Sequence, residues 1–261
     1  MAEDMCRSFY NVWDDFPESV GEDENSQLKI KDYWETLFKN KKCDNYIDKV
    51  NSICFWLLVQ NFGDGSSFTK NVNSNTDIVY YIVIWLIHML RLKGDDNVMN
   101  FYNNFINPDQ SYINSINDYN TYKNLINTKL LLMNTGIEDI SKFYDALKSL
   151  CKMYNEFDDD KPDCTQCLDD AKKFAEEYEI LFNNNNGTDT EGSLYSQILS
   201  ILSTDYYNFI NLCYEKKKGC GRFPCIPPYS RCPLIKNALI SITFIFVAIP
   251  IFLEFAYKVN K

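Results

Sequence analysis

Histidine occurs once in this chain of 261 residues, as His88, and glycine and proline are scarce at 9 and 8. A catalytic triad, or a metalloprotease-type helix that needs two histidines one turn apart, has almost nothing to work with. No glycine-rich phosphate loop is present either. Few glycines and prolines also argue against a turn-rich β-sandwich and for helices. Basic residues are in deficit, 26 against 36 acidic, for a net charge of −10. A surface of that sign repels phosphate backbones, so nucleic acid is excluded as the expected partner. The N-terminus, MAEDMCRSFYNVWDDFPESV, is acidic and lacks the apolar core of a cleavable signal peptide. Entry to a secretory route would then fall to the C-terminal helix or to a recessed signal.

Apolar residues are plentiful, at 46% of the chain with 15% aromatic, enough to bury a substantial core. Ten cysteines form an even and unusually large set. That suggests disulfides and an oxidising compartment. The expected bonded set is Cys43, Cys54, Cys151, Cys164, Cys167, Cys213, Cys220, Cys225 and Cys232, with Cys6 left outside it. The alternative is that several pack as small hydrophobes. Roughly a thousand complete pairings of ten cysteines exist, so connectivity stays open.

One segment is apolar enough to cross a bilayer. NALISITFIFVAIPIFLEFAY lies between Lys236 and Lys258, and as a helix its residues 238–257 span about 30 Å. Its dozen Leu, Ile, Val and Phe side chains contribute roughly −5 kcal/mol toward insertion. Glu254 opposes by at most about 2.5–3.5 kcal/mol, and less near the interface, where Lys258 one turn later can partner it. Pro250 kinks such a helix without preventing insertion. IVYYIVIWLIHML at 78–90 is too short to span and reads as a buried core helix.

The remainder predicts successive amphipathic helices. Ile137, Ile140, Phe143, Tyr144, Leu147, Leu150, Cys151 and Tyr154 share one helical face. Leu168, Ala171, Phe174, Tyr178, Leu181 and Phe182 repeat the spacing, as do Leu194, Ile198, Ile201, Leu202, Phe209, Leu212 and Cys213. Residues 111–134 predict another helix. Asn75, Thr76 or Asp77 can cap the helix over 76–92. Polar clusters mark the breaks: FGDGSSF at 62–68, FDDDKPDC at 157–164 and NNNNGTDTEG at 183–192. The last contains a glycosylation sequon at Asn186. Residues 214–236 hold three cysteines, four prolines and six basic residues, and read as a stapled juxtamembrane stalk. Its basic group, Lys216, Lys217, Lys218, Arg222, Arg231 and Lys236, can touch anionic lipid or acidic glycans, or simply be solvated.

The expected fold is therefore all-α: a helical ectodomain over 1–213, the stalk over 214–236, a transmembrane helix over 237–257 and a short tail over 258–261. No catalytic, cofactor or metal site is expected. Cys164 and Cys167 form a C-x-x-C, but without flanking strands a structural role outweighs a redox one. Cys220, Cys225 and Cys232 lack ligand spacing for zinc. His88 reads as a satisfied core histidine. The acidic runs Asp14-Asp15, Glu22-Asp23-Glu24 and Asp158-Asp159-Asp160 read as solvated loops.

Several stretches, in order, resemble a known family. MCRSFYNVWDDFPE at 5–18, CDNYIDKVNSICFWLLVQNFGDGSSF at 43–68, NTDIVYYIVIWLIHMLRLK at 75–93, FYDALKSLCKMYNEFDDDKPDCTQCLDDA at 143–171, LYSQILSILSTDYYNF at 194–209 and FIFVAIPIFLEFAYK at 244–258 are similar to the Plasmodium interspersed repeat (PIR) proteins of rodent-malaria type. The resemblance implies a non-enzymatic variant surface antigen or adhesion protein of a blood-stage parasite. It also implies display on a bilayer at or near the infected red-cell surface and engagement of a host protein or glycan. Two departures stand out. Glu254 occupies a position where an apolar or small residue is expected. The chain also stops at Tyr-Lys-Val-Asn-Lys where relatives continue into a basic tail, so a truncated or unspliced product is expected.

Orientation divides the readings. Six basic residues precede the apolar segment closely and two follow it. By charge alone the N-terminal domain faces the cytoplasm, as in a tail-anchored scaffold. Cysteine content and family resemblance favour an exposed domain. A membrane-tethered thiol oxidoreductase using Cys164 and Cys167 is the remaining alternative.

Overall fold

A computed structural model describes residues 2–16, 18, 45–63, 71, 75–94, 97–101, 103, 125–127, 129–130, 133–134, 137–157, 165–185, 193–216 and 222–228. Every regular element among them is helical. The chain divides into two compact units, Met1–Phe223 and Pro224–Lys261. In the second unit the described residues are 224–228, with a cis peptide between Pro227 and Pro228.

The first unit contains α1 (Ala2–Asp15), α2 (Tyr46–Phe62), α3 (Thr76–Arg91), α4 (Asn97–Phe101), α5 (Ile140–Glu156), α6 (Thr165–Asn185) and α7 (Leu194–Lys216). The helix α1 was not expected from sequence. Its Met5, Cys6, Phe9 and Val12 are buried, and Phe16 follows just beyond its end. That is a one-sided stripe on an otherwise acidic segment.

The helix α2 is closed at both ends. Asn45 accepts from the Asp48 amide at 2.8 Å while its own side-chain amide donates to the Asp48 carboxylate at 2.8 Å. At the other end Gly63 takes φ 76°, and its amide donates to the Val59 carbonyl at 2.8 Å. A left-handed residue there suits glycine, and it falls within the turn expected at 62–68.

In α3 all thirteen residues from Ile78 to Leu90 are buried. This is the core helix that its length and composition predict. Its N-cap residue is Asn75, yet the Asn75 side chain makes no capping bond.

The helix α5 is the hub. It packs most extensively on α6 and also on α1, α3 and α7. Its predicted apolar face is wholly buried, from Ile137 ahead of the helix to Tyr154. Ala146, Ser149 and Met153 are buried too, because neighbours on several sides widen the covered face beyond a single stripe. On α6 and α7 the inward residues follow the predicted spacing, with Leu168, Phe182, Leu194, Ile201 and Leu212 only half-buried.

Two expected segments differ in extent or fall outside the description. The helix α7 runs on to Lys216, and Phe223 packs edge-on against Phe209 and Tyr214 with centroids 5.9 and 6.2 Å apart. Phe209, Tyr214 and Phe223 all belong to the first compact unit. The apolar segment 237–257 lies outside the described residues, as does most of the helix expected over 111–134. Among the described residues no helix is long and apolar enough to cross a membrane.

Candidate functional site

Cys6 and Cys151 form a disulfide joining α1 to α5 across 145 residues of sequence. Both are fully buried. The Asn155 side-chain amide donates to the carbonyls of Cys6 and Cys151, at 3.2 and 2.9 Å, beside the bridge. Closing so long a loop restricts the unfolded chain by about 5 kcal/mol in the chain-entropy account.

The bridge takes in Cys151, which the sequence placed in the bonded set, and Cys6, which it did not. Cys54, Cys167 and Cys213 are buried. Their surroundings are helix–helix contacts, where cysteine packs as a small hydrophobe. Burial pushes the Cys54 thiol up to about 12. The Cys167 sulfur lies 3.8 Å from the Met153 carbonyl oxygen on α5. Cys225 is in a disulfide whose partner lies outside the described residues. Cys43, Cys164, Cys220, Cys232 and Asn186 also lie outside them, so the geometry of the C-x-x-C and of the sequon is not described.

A second cluster gathers where α1, α3 and α5 meet. The carboxylate of Glu18, just past α1, accepts a hydrogen bond from the Lys148 ammonium of α5 at 2.7 Å. The other Glu18 oxygen stands 3.8 Å from Nε2 of His88 on α3. His88 stacks on Tyr144 of α5, with centroids 3.9 Å apart and planes 18° off parallel. Trp13 meets Tyr144 edge-on at 6.3 Å, and the Lys148 ammonium lies over both rings at 6.0 and 5.6 Å. Trp13 Nε1, His88 Nε2 and the Tyr144 hydroxyl are buried and, among the described residues, make no hydrogen bond of full geometry, although Tyr144 interacts weakly with Glu18 and Trp13.

The electrostatics follow from that geometry. Burial alone would raise the Glu18 carboxyl, but the Lys148 hydrogen bond and charge, helped by His88, hold it below its ordinary value. Burial lowers the His88 imidazole; Glu18 and Asp145 oppose this, and Lys148 adds to it. Burial, then the Glu18 charge, pushes the Tyr144 phenol far up, so it stays protonated. His88 is a core residue as expected, but its Nε2 is not satisfied. Sequence order hides the cluster, because its members come from three separate stretches of chain.

Elsewhere the core holds a buried acid–phenol pair, Asp205 with Tyr81, and Tyr154 donates to the Asp205 carbonyl at 2.9 Å. Among the described residues no group of three or more His, Cys, Asp or Glu side chains could hold a metal ion.

Residues 6–258 match the family described as the Plasmodium variant antigen protein Cir/Yir/Bir. A solved structure of a Plasmodium PIR protein ectodomain is similar to this chain at 29% identity with a TM-score of 0.63. The match covers 87% of this chain and 96% of that one. No curated protein matches the chain. With the family match running over nearly its whole length, the chain belongs to the Plasmodium Cir/Yir/Bir variant antigen family.

Proposed function

We propose that this variant antigen is a non-enzymatic surface or adhesion protein, its helical unit exposed and its 237–257 segment set in a bilayer. The observation that carries the reading is the Cys6–Cys151 disulfide. A buried bridge between the first helix and the central one belongs to a protein that folds where thiols oxidise, not in a reducing cytosol. A similar solved structure is described as an ectodomain and covers 87% of this chain. The ligand is then a host protein or glycan, met through surface residues of a rigid helical scaffold, with export toward the infected red-cell surface or the membranes bounding the parasite.

The charge distribution favours a second reading, a tail-anchored scaffold facing the cytosol, because basic residues crowd the N-terminal side of the apolar segment. Lysine labelling with a membrane-impermeant reagent on intact infected cells separates the two. Exposed lysines of the helical unit, such as Lys172 and Lys173, should be modified before permeabilisation. Modification only after permeabilisation would favour the scaffold.

A further inference from the structure

The Glu18 cluster has the make-up of a receptor for a carboxylate. Four groups able to donate converge there from three helices: Trp13 Nε1–H from α1, His88 Nε2 from α3, and the Tyr144 hydroxyl and Lys148 ammonium from α5. The inner groups are buried and the outer pair is partly exposed. The His88 side chain is 10% exposed and Tyr144 1%, against 37% for Glu18 and 45% for Lys148. Among the described residues Lys148 makes the close hydrogen bond to Glu18, and Tyr144 reaches it only weakly. Glu18 stops 3.8 Å from His88, and among the described residues neither Trp13 Nε1 nor the Tyr144 hydroxyl makes a hydrogen bond of full geometry. Buried donors without acceptors are costly, and charge-assisted bonds to a carboxylate are among the strongest ways to satisfy them. Glu18 follows closely on the end of α1, and that short tether limits how far its carboxylate can enter.

We propose that Trp13, His88, Tyr144 and Lys148 form a carboxylate-binding site, that the chain's own Glu18 occupies it as a latch, and that a carboxylate from outside can displace Glu18 and enter further. The site does not depend on which side of a membrane the helical unit faces.

His88 is the only histidine, so a histidine-labelled full chain in detergent gives one imidazole NMR signal that reports on this site. In Glu18→Ala, acetate should move that signal saturably, with a Kd on the order of millimolar. Neutral acetamide and chloride should leave it in place. Adding Lys148→Met should abolish the acetate response. In the unaltered chain acetate should act roughly tenfold or more weakly, because the tethered Glu18 competes at high effective concentration. An imidazole signal in folded Glu18→Ala that ignores acetate, or follows chloride and acetamide equally, overturns the proposal. Should Glu18→Ala not fold, Glu18→Gln keeps the side chain's size. Its His88 should titrate below the unaltered chain's, with Asp145, Lys148 and Tyr144 unchanged around it, and an unchanged titration overturns the latch.

Discussion

The Tyr81 hydroxyl on α3 donates to the Asp205 carboxylate on α7 at 2.9 Å, inside the core. Asp205 is 8% exposed, and burial foremost raises its carboxyl above the ordinary value of 3.8. Tyr81→Phe removes the donor and leaves a buried acid short of a partner. The expected cost is about 2–4 kcal/mol, read from urea unfolding midpoints at unchanged slope.

Asp205→Asn tests the sign of the same effect. A carboxyl whose folded pKa lies above its unfolded one stabilises the fold when protonated, and that advantage is lost as pH rises from 3.8 to the raised value. The stability of Asp205→Asn relative to the unaltered chain should therefore improve as pH rises through that window. Denaturant titrations on both sides of it check this; a pH-independent difference would show that Asp205 does not titrate as placed.

His88 behaves in the mirror sense. Its imidazole is lowered from 6.5, chiefly by burial. The folded state thus resists protonation, and stability should fall as pH drops below 6.5 toward the lowered value. His88→Gln should flatten that part of the stability–pH curve.

Cys54 should be inert. With its thiol pushed up to about 12 and its side chain 2% exposed, alkylation at neutral pH should be at least about a thousandfold slower than for an ordinary cysteine. Urea should restore normal reactivity. Rapid labelling of Cys54 in the folded chain would contradict its placement.

Much of this architecture was legible in the sequence. The 78–90 run and the 137–154 stripe gave α3 and α5 because both carry strong, uninterrupted apolar signals. The helix α1 carries its stripe in Met5, Phe9, Val12 and Phe16, but the acidic residues between them dilute the apolar signal. The Cys6–Cys151 bridge was illegible for a physical reason: its 145-residue span depends on which helix lands beside α5, and cysteine spacing does not encode that. Asn45 and Asn75 make the same point at smaller scale. Both fit a capping position by type, yet only Asn45 makes the side-chain bond. His88 read correctly as a core residue, while its facing Glu18 and Lys148 could be brought together only by the tertiary fold.

Removing the bridge by Cys6→Ala with Cys151→Ala should cost on the order of 3–5 kcal/mol. In a unit of this size that lowers Tm by roughly 10 °C in a thermal melt. A melt unchanged by the double substitution would mean that the bridge contributes nothing to the folded state.

The most direct test is non-reducing peptide mapping of the chain from parasite membranes, with thiols blocked before lysis. A linked peptide pair containing Cys6 and Cys151 is expected, with Cys54 blocked only after denaturation. Recovery of Cys6 and Cys151 as separately blocked thiols would contradict an exposed domain folded in an oxidising compartment.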